Sequence, residues 1–153
     1  MTKLQPNTLE GLRWGLKNFD AIETDIRLSK DGDLVIHHDP VTADGKIIAE
    51  MTLAELKSDG LFLFNEFLND PEIRSKVKSG KSLWIELKPN CSGKKSIRKQ
   101  IAEKLYSQLL RELDETKFGT DNINILSFAR DLLDPLARED LFPCYPILPN
   151  INE

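Results

Sequence analysis

Ile22-Glu23-Thr24-Asp25-Ile26-Arg27-Leu28 alternates with a period of two: Ile22, Ile26 and Leu28 fall on one side, and Glu23, Asp25 and Arg27 on the other. That period belongs to a β-strand. Leu83-Trp84-Ile85-Glu86-Leu87-Lys88 repeats the pattern, setting Leu83, Ile85 and Leu87 against Trp84, Glu86 and Lys88. In an open doubly wound sheet, helices cover both faces and the strands read as nearly continuous apolar runs. Strands with one apolar and one charged face better fit a barrel of the α/β class, where the polar face looks into the lumen near the catalytic rim.

The flanking segments supply the helices. Asn7-Thr8-Leu9-Glu10 has the spacing of a capping box with Asn7 as the cap, and predicts a helix that turns Leu9, Leu12, Leu16 and Phe19 inward. Lys30-Asp31-Gly32-Asp33 is a turn signal ahead of a short strand from Leu34 to His38. Thr52-Leu53-Ala54-Glu55 is a second capping box, and Leu63 to Leu68 suggests another helix start. Ile97, Ile101, Leu105, Leu109 and Leu113 recur in steps of four, which predicts an amphipathic helix from Lys94 to about Glu115. A strand from Ile123 to Phe128, a helix from Asp131 to Glu139 and a proline-broken extended segment from Phe142 to Leu148 complete the reading. Strands alternating with helices imply a largely parallel sheet. There is no internal repeat, and residues 1–153 read as one domain.

Composition narrows the function. The chain has 153 residues, 21 Lys+Arg against 25 Asp+Glu for a formal charge of −4, and is 40% hydrophobic and 30% charged. No apolar run approaches the roughly 20 residues of a membrane span. Met1 to Pro6 has a lysine but no apolar stretch behind it, so no secretory signal is read and a cytoplasmic location is expected. Cys91 and Cys144 stand far apart, which excludes a disulfide scaffold and a Cys-rich zinc site, and leaves oxygen ligands for any metal. Basic residues are dispersed apart from Lys94 to Lys99, so nucleic acid is not the expected partner.

Glu23 and Asp25 project from one strand face, about 6 to 7 Å apart along the backbone. Glu86 and Lys88 have the same relation on the later strand. If both strands face one lumen, three carboxylates and one ammonium converge there. Oxygen ligands of that kind suit a hard cation such as Mg²⁺ or Ca²⁺. Alternating charges on a strand more often mark a solvated face, so the signal lies in the combination. His37 and His38 are the only histidines, and neighbouring strand residues point to opposite faces. His38, at the strand's end, is the expected proton-transfer residue, and His37 packs outward.

These segments together carry a resemblance. Asn7 to Gly11, Ile22 to Gly32, Leu34 to Asp39, Met51 to Lys57, Trp84 to Lys88 and Ile125 to Phe128 resemble, in order, segments of the glycerophosphodiester phosphodiesterases. The resemblance implies an α/β fold, a TIM-type (β/α)8 barrel, that hydrolyses a small-molecule glycerophosphodiester to glycerol 3-phosphate and an alcohol with one divalent cation, Mg²⁺ or Ca²⁺. It implies Glu23, Asp25 and Glu86 as metal ligands, and Lys88 as the group stabilising negative charge on the phosphoryl oxygens. His38, before the Asp39-Pro40 step, takes one half of a general acid/base pair.

The family's opening strand ending in His-Arg, which carries the other histidine, has no counterpart in these residues, nor do its last two strands. About five of eight strands are therefore expected, with impaired hydrolysis and self-association through open sheet edges. Three alternatives accompany this expectation: a non-catalytic metal- and phosphate-binding module, a sphingomyelin-type phospholipase D-like enzyme, and a charged lumen of Glu23, Asp25, Glu86, Arg27 and Lys88 that holds no metal.

Overall fold

The two alternating segments form neighbouring parallel strands, β1 (Ala21–Leu28) and β3 (Ser82–Leu87), with Glu23 opposite Trp84 and Asp25 opposite Glu86. The computed structural model describes residues 4–89, 95–129, 132–133 and 142–147. Among these, the sheet has five strands in the order β2-β1-β3-β4-β5, where β2 is Leu34–Ile36, β4 Ile123–Ser127 and β5 Cys144–Pro146. β1, β3, β4 and β5 run parallel, whereas β2 turns back antiparallel to β1 and pairs only with Ile26, Arg27 and Leu28. The expected five strands are present, but four of them are staves of a barrel and the fifth is a hairpin return.

That hairpin is closed locally. Ser29 N–H donates to Asp33 O at 2.9 Å, and Asp33 N–H donates to Ser29 Oγ at 3.0 Å. Gly32 sits at φ +89°, a conformation that costs a glycine little. Strand β2 ends at Ile36, two residues before the predicted end at His38, and His37 N–H then donates to Asp25 O at 3.2 Å.

Helices cover the apolar face of the sheet. Helix α1 (Leu9–Asn18) buries Leu12 and Leu16, while Phe19 is 56% exposed because the helix has already ended at Asn18. Its cap is Thr8, whose Oγ1 accepts from Gly11 N–H at 3.1 Å, one residue after the expected Asn7. The second capping box holds: Thr52 Oγ1 accepts from Glu55 N–H and Glu55 Oε2 accepts from Thr52 N–H, opening α2 (Leu53–Ser58). Helix α3 (Phe64–Asn69) buries Phe64, Phe67 and Leu68. Helix α4 (Pro71–Lys78), not among the expected helices, starts with proline at its first position and Asp70 as cap, and Asp70 also pairs with Arg13 of α1.

Helix α5 (Lys95–Glu115) turns Leu105, Leu109 and Leu113 inward, but Ile97 is 45% exposed. Steps of four advance about 400°, so the stripe drifts about 40° per step and its first member leaves the buried face. Ala102, on the other flank of the stripe, is fully buried. The predicted helix from Asp131 to Glu139 and the end of the extended segment at Leu148 lie outside the described residues.

The core therefore sits between this helical layer and the residues Ile22, Ile26, Leu83, Ile85, Leu87, Ile123 and Ile125. The opposite face of the sheet carries Glu23, Asp25, Arg27, Trp84, Glu86, Asn124 and Leu126, as alternation requires. This is an incomplete (β/α)8 barrel.

Candidate active site

Register assembles the site. Because Asp25 lies directly opposite Glu86 on hydrogen-bonded parallel strands, their side chains leave the sheet side by side, and Glu23 stands two residues earlier on the same face. One carboxylate oxygen from each of Glu23, Asp25 and Glu86 lies within 4.8 Å of the others. Asp25 and Glu86 are 3% and 7% exposed, while Glu23 opens to solvent along the strand edge.

The charges in this cluster are poorly compensated. Lys88 Nζ is 2.8 Å from Glu86 Oε1 and 3.6 Å from Asp25 Oδ1, the second too long for a hydrogen bond. Asp25 Oδ1 is buried with no hydrogen-bond partner. Partial burial, reinforced by repulsion from Asp25 and Glu86, pushes the Glu23 carboxyl up to about 7. Burial also raises Glu86, against the lowering pull of Lys88. An orphaned carboxylate oxygen among three crowded carboxylates is the donor set a divalent cation fits, since the cation would satisfy Oδ1 and remove the repulsion.

Two side chains that the sequence did not single out for these tasks hold the cluster. Asn7, displaced from the helix cap, lies at φ +56° and donates from Nδ2 to Asp25 Oδ2 at 2.9 Å. Its Oδ1 accepts from Thr24 Oγ1 at 3.0 Å and from Asp25 N–H at 3.3 Å. Arg27 is 5% exposed and donates to His38 O from Nε at 3.1 Å and from a terminal nitrogen, and to Pro89 O at 3.0 Å. It thereby ties the segment after β2 to the segment after β3 across the mouth of the site. Burial lowers the Arg27 guanidinium from its ordinary range, against the attraction of Asp25, Asp39 and Glu86.

His38 borders a groove of about 480 Å³ together with Glu23 and Asp25. Its side chain is 68% exposed, and Nδ1 lies 2.9 Å from Asp39 Oδ1. A carboxylate only accepts, so Nδ1 carries the proton and Nε2 is left as the basic nitrogen. The Asp39 carboxyl is held below its usual range by this bond. His37 turns instead to its own segment, with Nδ1 2.8 Å from Asp39 O. The same sheet face continues into aromatics: Trp84 and Tyr145 ring centroids are 5.2 Å apart, and Phe128 lies 5.8 Å from Lys88 Nζ.

The glycerophosphoryl diester phosphodiesterase family profile matches residues 1–151. No match to a curated protein was found. Among solved structures, a glycerophosphodiester phosphodiesterase from Thermotoga maritima is 25% identical with a TM-score of 0.65, covering 95% of this chain and 57% of its own. One from Parabacteroides distasonis is 23% identical with a TM-score of 0.66, covering 88% of this chain and 54% of its own. An Oleispira antarctica phosphodiesterase, solved with the product sn-glycerol-3-phosphate, is 24% identical with a TM-score of 0.66, covering 86% of this chain and 56% of its own. The chain thus spans 54% to 57% of the length of these three relatives, and the likeness is one of fold. With nearly every residue inside the family profile and the same α/β staves in the solved relatives, the chain belongs to the glycerophosphoryl diester phosphodiesterase family.

Proposed function

We propose that this chain carries the metal- and phosphate-binding half of a glycerophosphodiester hydrolase site. The observation that carries the reading is the buried Asp25 Oδ1, which accepts no hydrogen bond, beside Glu23 and Glu86. These three residues would hold one divalent cation, Mg²⁺ or Ca²⁺. When bound, the cation supplies Lewis-acid polarisation of a phosphoryl oxygen. Lys88, already at the edge of the cluster, offers a compact positive charge to a second phosphoryl oxygen. His38 accepts or returns a proton at Nε2, with Asp39 fixing the tautomer at Nδ1. Arg27 sets the position of the His38 backbone relative to the carboxylates.

Proton transfer in such a site is best served by one base and one acid, and the only other histidine, His37, is engaged with the Asp39 carbonyl. Hydrolysis by these residues alone is therefore expected to be weak. The high exposure of His38 favours a second reading, a binding module that keeps the cation and phosphate contacts without turnover. Glycerol 3-phosphate release from glycerophosphocholine tests both. A slow, cation-dependent release lost in His38→Ala supports the hydrolase. Cation binding with no release, unchanged by His38→Ala, supports the module. Calorimetric heats that are identical for the parent chain and Glu23→Gln would sink the cation site itself. A cyclic phosphate product would assign the chemistry to the sphingomyelin-type branch.

A further inference from the structure

We infer that Asn7 is a positioning residue that presents Asp25 to the cation with one oxygen only, an inference that rests on the cation site proposed above. The geometry fixes the amide without ambiguity. The Asp25 N–H can only donate, so the Asn7 atom 3.3 Å from it is the oxygen, and the nitrogen end must face Asp25 Oδ2, 2.9 Å away. The Thr24 hydroxyl, itself fully buried, donates to the same oxygen at 3.0 Å and holds the amide in that sense.

Asp25 Oδ2 is thereby occupied, while Oδ1 accepts no hydrogen bond, has only Lys88 Nζ at 3.6 Å as a counter-charge, and lies near the Glu23 and Glu86 oxygens. A neutral amide donor suits this task better than Lys or Arg would, because it orients the carboxylate without cancelling the charge a cation needs. The position also restricts what can stand there. Residue 7 lies at φ +56°, a conformation open to Asn and Gly but costly to most side chains. The next residue, Thr8, caps α1, so the start of a helix is anchored to the ligand strand through one side chain.

A merely structural Asn7 would fasten α1 to β1 and affect folding alone. The two roles separate in a titration of Mg²⁺ and of Ca²⁺ into the 153-residue chain, read by calorimetry, alongside thermal melting in chelator. Asn7→Gly keeps the left-handed backbone and removes only the amide. The expected result is a cation Kd weakened about tenfold or more. Thr52→Ala, which breaks a capping box remote from the carboxylates, should lower the melting temperature and leave the Kd unchanged. Should Asn7→Gly fail to fold, Thr24→Val removes one of the three hydrogen bonds that fix the amide while leaving Asn7 in place, and a smaller loss of affinity is expected. A folded Asn7→Gly, or in its place Thr24→Val, that binds as the parent chain does overturns the role of Asn7 while the cation site stands. A parent chain that binds neither cation overturns the cation reading and this inference with it.

Discussion

Glu112, on α5, is 4% exposed, and its Oε2 has no hydrogen-bond partner. Burial, with smaller contributions from Asp33 and Glu115, pushes its carboxyl from the ordinary 4.5 up to about 8. Below the ordinary value, both folded and unfolded chains hold the proton and the group costs nothing. Between 4.5 and about 8 the unfolded chain has released a proton that the folded chain keeps, so stability falls as pH rises, by roughly 1.4 kcal/mol per unit. Glu112→Gln should remove that slope, matching the parent near pH 4 and exceeding it by a few kcal/mol near pH 8.5 in urea denaturation. Parallel pH profiles for the two proteins would show that Glu112 ionises as it would in water. Arg27 poses the complementary case of a buried charge that is well used. Arg27→Met leaves the His38 and Pro89 carbonyls without their donor and is expected to cost about 1.5–3 kcal/mol, with faster amide exchange in residues 37–40.

Between elements, α1 lies close on β1 at Gly15. A Cβ added at Gly15 would lie 2.7 Å from Ile22 Cγ2, closer than packing allows. Gly15→Ala gains about 1 kcal/mol of helix propensity but forces the helix off the strand, and overpacking of this kind costs about 1–3 kcal/mol. A net loss is expected, read as a lower melting temperature; a rise would show that α1 has room to shift. At this scale the sequence was legible where a pattern has a single physical meaning. Alternation in β1 and β3 identified the carboxylate face, and Thr52 with Glu55 marked a helix start. It was opaque where two residues compete for one task. Asn7 and Thr8 are both good caps, and only the chain's path decides that Thr8 caps while Asn7 reaches β1. Strand direction leaves no trace in periodicity, and the antiparallel return of β2 is marked only by the shortness of the turn from Ser29 to Asp33, too short for a parallel crossover. Helix α4 has only eight residues and two buried side chains, too few to set up a period. The convergence of Glu23, Asp25 and Glu86 depended on register between strands about 60 residues apart, which residue spacing alone does not contain.

For the whole molecule, the barrel face is the decisive surface. Half-buried Trp84 and Leu126 and exposed Phe128 and Tyr145 share it with the carboxylates. On the outer side of β1, residues 21–25 pair with no strand among the described residues. Unpaired strand edges and an uncovered aromatic face both invite association. The 153-residue chain in isolation is therefore expected to sediment with a weight that rises with concentration, and to bind a dye specific for apolar surface. A monomer that ignores the dye at high concentration would exclude this. No helix among the described residues is long and apolar enough to cross a membrane. The cation site proposed above would also bear on how the chain folds as it is made. Its three carboxylates all reside on β1 and β3, and β3 ends at Leu87, so the whole set is synthesised ahead of β4 and β5 and leaves the ribosome before they do. A cation held by that proposed site would need no contribution from β4 or β5, and would steady the β1–β3 pairing of a nascent intermediate.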